Sequence, residues 1–269
     1  MTNEPPLIGL IPAAGLAARL APLPCSKELL PIGFTTTPDG PRPRPVCLYL
    51  LERLRRAGIE RALIVLRQGK WDIPAYLGHG AQFGLSLGYL IMGLPHGSPY
   101  TLDQAYPFVR GCTVALGLPD IIFEPTDAYA HLLAHIRATG ADLVLGLFPN
   151  DQPHTADMVE LDEAGHVKQI VIKPPRSDLR YSWMICVWSP RFTEFLHTYL
   201  VEVERSRADP DPARRPQGEI FLGHVFQAAM RAGLLVSAVP FPEGTALDVG
   251  TPEHLRQAVW RYAGPAEGV

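Results

Sequence analysis

At 269 residues, with 47% hydrophobic and 19% charged positions, the chain suffices for one large globular unit or two small ones and can bury roughly three quarters of the surface its unfolded form exposes. Its 24 basic and 27 acidic side chains nearly balance, and no basic run exceeds the pair Arg214 and Arg215. Non-specific nucleic-acid binding through a broad cationic face is thereby excluded, and any phosphate site has to be local. The segment MTNEPPLIGLIP lacks the positive start of a signal peptide, and no stretch reaches the roughly 18 apolar residues of a membrane span, so a soluble, cytoplasmic protein without membrane partners is expected.

Taken in chain order, Leu7 to Ile11 reads as a buried strand that enters a tight loop at Pro12-Ala13-Ala14-Gly15. Phe34 to Pro45 is rich in turn formers and reads as a long loop. Leucines recur at helical spacing over Val46 to Ala57, and Gly58 caps that helix. Strands are predicted at 61–67, 85–92, 113–119 and 142–148, with helices near 102–109 and over 127–140. Strands alternating with helices imply a mostly parallel sheet covered on both faces. After Pro149 the texture changes. Residues 157–174 read as a hairpin around the turn at Asp162 to Gly165, followed by a strand at 183–188 and a helix from Pro190 to about Arg207. The proline-rich stretch 209–218 reads as a mobile loop. A helix at 219–232, a strand at 234–241 and a last helix opened by Thr251-Pro252-Glu253 complete the pattern.

Cys25, Cys47, Cys112 and Cys186 form no C-x-x-C pair and read as reduced, buried thiols. His131 and His135 share a helix face, but no further ligands lie near them in sequence, and an amphipathic helix explains them better than a metal site. Arginine outnumbers lysine 20 to 4, so each lysine position is informative.

The first strand ends in a loop of small residues, Ala13-Ala14-Gly15-Leu16-Ala17-Ala18, and then presents Arg19. Such a loop lets backbone N–H groups approach a polyphosphate, while the guanidinium supplies a fork for its oxygens. Neither G-x-x-x-x-G-K-[ST] nor G-x-G-x-x-G is present, which removes a Walker NTPase and a Rossmann dehydrogenase. Lys27, within Cys25-Ser26-Lys27-Glu28-Leu29-Leu30-Pro31, follows after prolines that stiffen the link and puts a second cation near the first.

Arg19 and Lys27 with this loop resemble the signature of the sugar nucleotidyltransferases, G-x-G-T-R-L-x-P followed by P-K-x-L-L-P. Three more stretches are similar to that family in the same order: LGHGAQFG at 77–84, LGLPDIIF at 116–123 and LDVGT at 247–251. The resemblance implies an α/β fold, with a Rossmann-like mixed sheet between helices and a small β-hairpin subdomain. Residues 1–149 would form a nucleotide-binding half, 150–250 a sugar-phosphate-binding half, and 251–269 a C-terminal helix. It further implies transfer of a nucleotidyl group from an NTP, with dTTP or UTP favoured, to a sugar 1-phosphate, giving an NDP-sugar and pyrophosphate with Mg²⁺ as cofactor. Asp120 and Asp248 would then hold the metal, consistent with the one or two carboxylates that Mg²⁺ prefers. Arg19, Lys27 and Asp120 would be catalytic. Ala13, Ala14, Gly15, Arg19 and Met92 occupy nucleotide positions, and Lys173, in Ile172-Lys173-Pro174, occupies the sugar-phosphate position.

The chain departs from the family pattern in several places. Ala17 and Ala18 stand for the second glycine and the threonine, Met92 for a glutamine that reads the base, Met184 for a glycine, and Ile172 for a glutamate that holds sugar hydroxyls. These changes leave open a second reading, a nucleotide or nucleotide-sugar binding protein on the same fold with reduced catalysis. A glycosyltransferase normally presents a D-x-D pair, and here Asp209-Pro210-Asp211 lies only in the proline-rich stretch. A homo-oligomer remains an open expectation.

Overall fold

The protein is described by a computed structural model over residues 4–93, 97–163, 165–209, 211 and 218–262. The stretch read as a mobile loop thus lies outside the described residues, apart from Asp209, Asp211 and Gly218.

The first half runs β1 (Leu7–Ala13), β2 (Pro31–Thr37), β3 (Gly40–Pro45), α1 (Cys47–Arg56), β4 (Arg61–Arg67), α2 (Asp72–Leu77) and β5 (Ser86–Met92). Two short helices follow, α3 (Ser98–Asp103) and α4 (Tyr106–Val109), then β6 (Thr113–Leu116), β7 (Ile121–Glu124), α5 (Ala128–Thr139) and β8 (Leu143–Pro149). The second half holds β9 (Met158–Leu161), β10 (Val167–Val171), β11 (Tyr181–Trp188), α6 (Pro190–Arg207), α7 (Leu222–Arg231), β12 (Val236–Pro240), β13 (Thr245–Asp248) and α8 (Pro252–Tyr262).

Among the described residues, nine strands make one mixed sheet. β1 lies parallel between β4 and β6, β5 extends β4 in parallel, and β12 runs parallel to β8. β11 enters antiparallel, joining β6 on one side to β8 on the other. The predicted hairpin β9–β10 forms and continues the sheet through the first residues of β11.

The alternation of side chains along each strand sorts the core into two layers. Ile8 and Leu10 of β1 face the layer of α3, α4, α6 and α7, where Leu102, Val109, Phe192 and Phe226 are buried. Ile11 and Ala13 face α1, α2 and α5, among Leu50, Leu54, Ile73 and Leu132.

Two expectations change, and a ribbon not foreseen in the sequence appears. The segment read as a loop at 34–45 lies within the hairpin β2–β3, in which Thr37 pairs with Gly40 and Thr35 with Arg42. Its alternating prolines are tolerated because a two-stranded ribbon leaves every second N–H facing outward. The helix expected near 102–109 is two helices, since Pro107 can start a helix but cannot continue one. Finally, β7 and β13, each only four residues long, pair antiparallel as a separate ribbon. A third apolar cluster, including Ile32, Val46, Ile122, Leu247 and Ala258, packs this ribbon against β2 and α8.

Candidate active site

The β7–β13 ribbon sets the geometry of the site. Asp248 of β13 pairs with Ile121, the residue after Asp120, and the Val249 N–H donates to the Asp120 carbonyl at 2.9 Å. Two aspartates far apart in the chain are thereby fixed side by side. Asp120 lies in the loop beyond the carboxyl end of β6, the place where open parallel sheets present ligands.

Cations converge on the pair. The Lys27 ammonium donates to Asp120 Oδ2, and Arg19 Nη2 lies 4.0 Å from Asp248 Oδ2. Burial alone would lower the Lys27 ammonium, but the charge and hydrogen bond of Asp120, with help from Glu28 and Asp248, hold it above its ordinary value. For Asp248, burial and then the Asp120 charge push the carboxyl up, against the Gly250 N–H, Lys27 and Arg19. Two crowded carboxylates, one of them reluctant to ionise, form a donor set that favours a cation between them. Among the described residues no group of three or more His, Cys, Asp or Glu could hold a metal.

The segment carrying Lys27 is clamped from below. Asp72, at the start of α2, accepts from the Ser26 N–H at 2.6 Å and from the Ser26 hydroxyl at 2.7 Å. Lys70 and Glu28 form a buried pair: Lys70 Nζ donates to both Glu28 oxygens at 2.7 and 2.8 Å and to the Ala13 carbonyl at 2.8 Å. Burial pushes Glu28 up and Lys70 down against their mutual attraction. This pair ties the end of β1 to the Lys27 segment. The rarity of lysine was a signal that could have found Lys70, but only burial and reach reveal its partner.

At the end of β1, Ala13 and Ala14 are buried and Gly15 is exposed. Ala17 holds a left-handed backbone at φ 54°, which accounts for the glycine of the family pattern there. A cavity of about 410 Å³ opens beside this loop, lined by Ala17, Lys27, Arg67 and Lys70. Arg67 Nε has no hydrogen-bond partner among the described residues. Met92 lines neither this cavity nor the next; its side chain lies in the apolar core of the α3, α4, α6 and α7 layer.

A second cavity, of about 200 Å³, joins Arg19 and Asp248 to Lys173, Asp157, Trp183 and Phe221. Lys173 adopts φ 37°, uncommon for a residue with a side chain, and its ammonium sits 4.0 Å from the Phe221 ring centre. Arg19, Asp248 and Lys173 thus share this cavity, and Lys27 and Asp120 adjoin it through the paired aspartates. Sequence reasoning missed Glu28, Lys70, Asp72 and Asp157. The histidine pair serves other ends: His135 bonds the Ser237 hydroxyl at 2.7 Å, and His131 lies 3.4 Å from Asp127.

Cations and paired carboxylates beyond the ends of parallel strands make a site suited to an anionic, phosphate-bearing ligand. The chain belongs to the nucleotidyl transferase family, whose model matches residues 8–263. It is 31% identical over 261 residues to a glucose-1-phosphate thymidylyltransferase of Xanthomonas campestris pv. campestris, covering 93% of this chain and 78% of that protein. Two solved structures share the fold. One, a Bacillus anthracis protein assigned as a glucose-1-phosphate thymidylyltransferase and solved with sucrose, superposes with a TM-score of 0.78 at 20% identity over 98% of both chains. The other, a UTP-bound UGPase from Acinetobacter baumannii, gives 0.71 at 16% identity, over 96% of this chain and 93% of that one. Among the described residues no helix is long and apolar enough to cross a membrane.

Proposed function

We propose that this protein is a Mg²⁺-dependent, cytoplasmic sugar-1-phosphate nucleotidyltransferase that uses dTTP or UTP. A phosphate oxygen of the sugar 1-phosphate forms a bond to the α-phosphorus of the NTP, the bond from that phosphorus to the β-phosphate oxygen breaks, and pyrophosphate leaves. The observation that carries this reading is the side-by-side placement of Asp120 and Asp248 with Lys27 and Arg19 upon them.

The work left to the protein is positioning and charge compensation. Residues 1–149 take the nucleotide, with the N–H groups of Ala13 to Gly15 facing the phosphates. Arg19 orients the departing pyrophosphate, and Lys27 offsets charge at the α-phosphorus. Residues 150–250 take the sugar phosphate, which Lys173 holds in line for attack. Asp120 and Asp248 would hold Mg²⁺, which when bound offsets the developing phosphate charge. No general base is required, because the sugar phosphate is already ionised at neutral pH.

Purified protein with Mg²⁺, dTTP or UTP and glucose 1-phosphate is expected to release pyrophosphate. Asp120→Asn is expected to lower turnover by about 100-fold or more, the scale of losing a group that meets transition-state charge. The burial of Met92 in the core favours a second reading, a nucleotide-sugar binding protein with reduced catalysis. Tight nucleotide binding by calorimetry, with no pyrophosphate from a panel of nucleotides and sugar phosphates, would establish that second reading and dismiss the first.

A further inference from the structure

Asp157 precedes β9 and is 5% exposed, yet it lines the cavity that holds Lys173. Its Oδ2 accepts from the Trp183 indole N–H at 3.4 Å, while its Oδ1 has no hydrogen-bond partner among the described residues. A buried carboxylate oxygen left unpaired is costly, so its retention calls for a partner that arrives with the ligand. Lys173 does not supply one: no ion pair joins the two within 4 Å among the described residues, and the ammonium is engaged over Phe221. The carboxylate is also given room. A Cβ at Gly223 would stand 2.5 Å from Asp157 Oδ2 and 2.4 Å from Ile172 Cδ1, so a larger residue there would displace both side-chain ends. Burial pushes the Asp157 carboxyl up, while the Trp183 N–H, Lys173 and the Gly223 N–H pull it back down.

The remaining lining decides what that partner is. Leu118, Met184, Trp183, Phe221 and Leu222 form an apolar wall, Ser98, Thr155, Thr251 and His254 add neutral polar groups, and the other cavity carboxylate, Asp248, belongs to the phosphate end. A ligand that fits carries an anion for Lys173 and Arg19, a C–H face for the apolar wall, and hydroxyl donors for Asp157.

We infer that Asp157 is a specificity residue whose Oδ1 accepts hydroxyl protons from the sugar ring, so that the site takes neutral, hydroxylated sugar phosphates and rejects acidic ones. This rests on the sugar 1-phosphate chemistry proposed above. A uronic acid would set a second carboxylate against a buried one, whereas a neutral hexose replaces the missing donor with a charge-assisted hydrogen bond.

Calorimetry with UDP-glucose, UDP-glucuronate and UDP, or their dTDP equivalents, tests it on the full chain. Wild type is expected to bind the glucose form more tightly than the bare diphosphate and than the glucuronate form. In Asp157→Asn and Asp157→Ala, affinity for the glucose form is expected to fall about 10- to 100-fold, the scale of a hydrogen bond to a charged group, with the bare diphosphate unchanged. The gap between glucose and glucuronate forms should narrow in Asp157→Asn. Equal losses for diphosphate and nucleotide sugar would make Asp157 merely structural, and no loss for either would overturn the inference outright. If the variants fail to fold, wild type with deoxyglucose nucleotides decides: loss of one ring hydroxyl has to cost about 10-fold at one position, and a flat series refutes the assignment. Absence of pyrophosphate release with this sugar selectivity intact would reject the enzyme reading and keep Asp157 in its role.

Discussion

Asp248 shows how a single residue's surroundings set a testable pH response. Its carboxyl is raised by burial and by Asp120, so its proton is lost at a higher pH than from an ordinary carboxylate. As a raised acid, it favours the folded state below its unfolded value, and that contribution disappears as pH climbs through the folded value. Metal binding has the opposite sign, because it needs the ionised form. The Mg²⁺ concentration for half-maximal effect is expected to rise on acidification, starting above the pH at which a free aspartate titrates; a Mg²⁺ titration of nucleotide binding between pH 8 and 5 checks this. Lys27, held above its ordinary value, keeps its charge throughout that range. Replacing Lys70 by Met leaves Glu28 buried and alone and is expected to cost about 3–5 kcal/mol in urea denaturation, the penalty of breaking a buried pair. Ala17 predicts the reverse of the usual rule. A left-handed alanine costs roughly 1–2 kcal/mol, more than the added chain entropy of glycine. Ala17→Gly is therefore expected to hold or raise the denaturation midpoint.

The elements that make the site are small ones. Four-residue strands β7 and β13 give no periodic signal, because two alternations cannot be told from loop. What the motifs LGLPDIIF and LDVGT contributed was the identity of the acids; the ribbon that pairs them became visible only through its register. The hairpin β2–β3 was likewise hidden by its prolines. It matters because it buttresses the ribbon through α8. Gly33 of β2 has φ 79°, and a Cβ there would lie 2.4 Å from the Tyr262 carbonyl oxygen of α8. Gly33→Ala is expected to destabilise by more than about 1 kcal/mol, since alanine meets both an unfavourable φ and a backbone atom that cannot yield. Thermal melting measures it, and a neutral result would show that α8 is free to move away.

For the molecule as a whole, ligand binding and folding are linked. The site draws on β1, the Lys27 segment, the β7–β13 ribbon and the Lys173 region, so a bound ligand joins parts from both halves of the chain. A ligand at 100 times its dissociation constant adds about 2.7 kcal/mol to the stability of the native state. Mg²⁺ with NTP is expected to raise the melting temperature by several degrees, with a smaller rise when Mg²⁺ is withheld. The same rise with and without Mg²⁺ would separate the metal from nucleotide binding.

Read alone, the amino-acid order determined the alternation of strands and helices, and hence a sheet with parallel core strands covered on both faces, because periodicity and burial act locally along each element; that β11 and the β9–β10 hairpin enter antiparallel and make the sheet mixed was decided by tertiary pairing. Small residues and prolines around Arg19 and Lys27 marked those two cations, and the resemblance to the family motifs added Asp120, Lys173 and Asp248 as expected site residues. Tertiary structure decided the rest. That Asp120 and Asp248 lie side by side depends on strand register, that Lys70 serves Glu28 depends on reach across the core, and that Met92 is turned inward depends on which face of β5 is turned to the core. Asp157 belongs with these: nothing in its neighbours along the chain sets it apart from an ordinary loop aspartate, and only burial beside Lys173 with an unpaired oxygen does so.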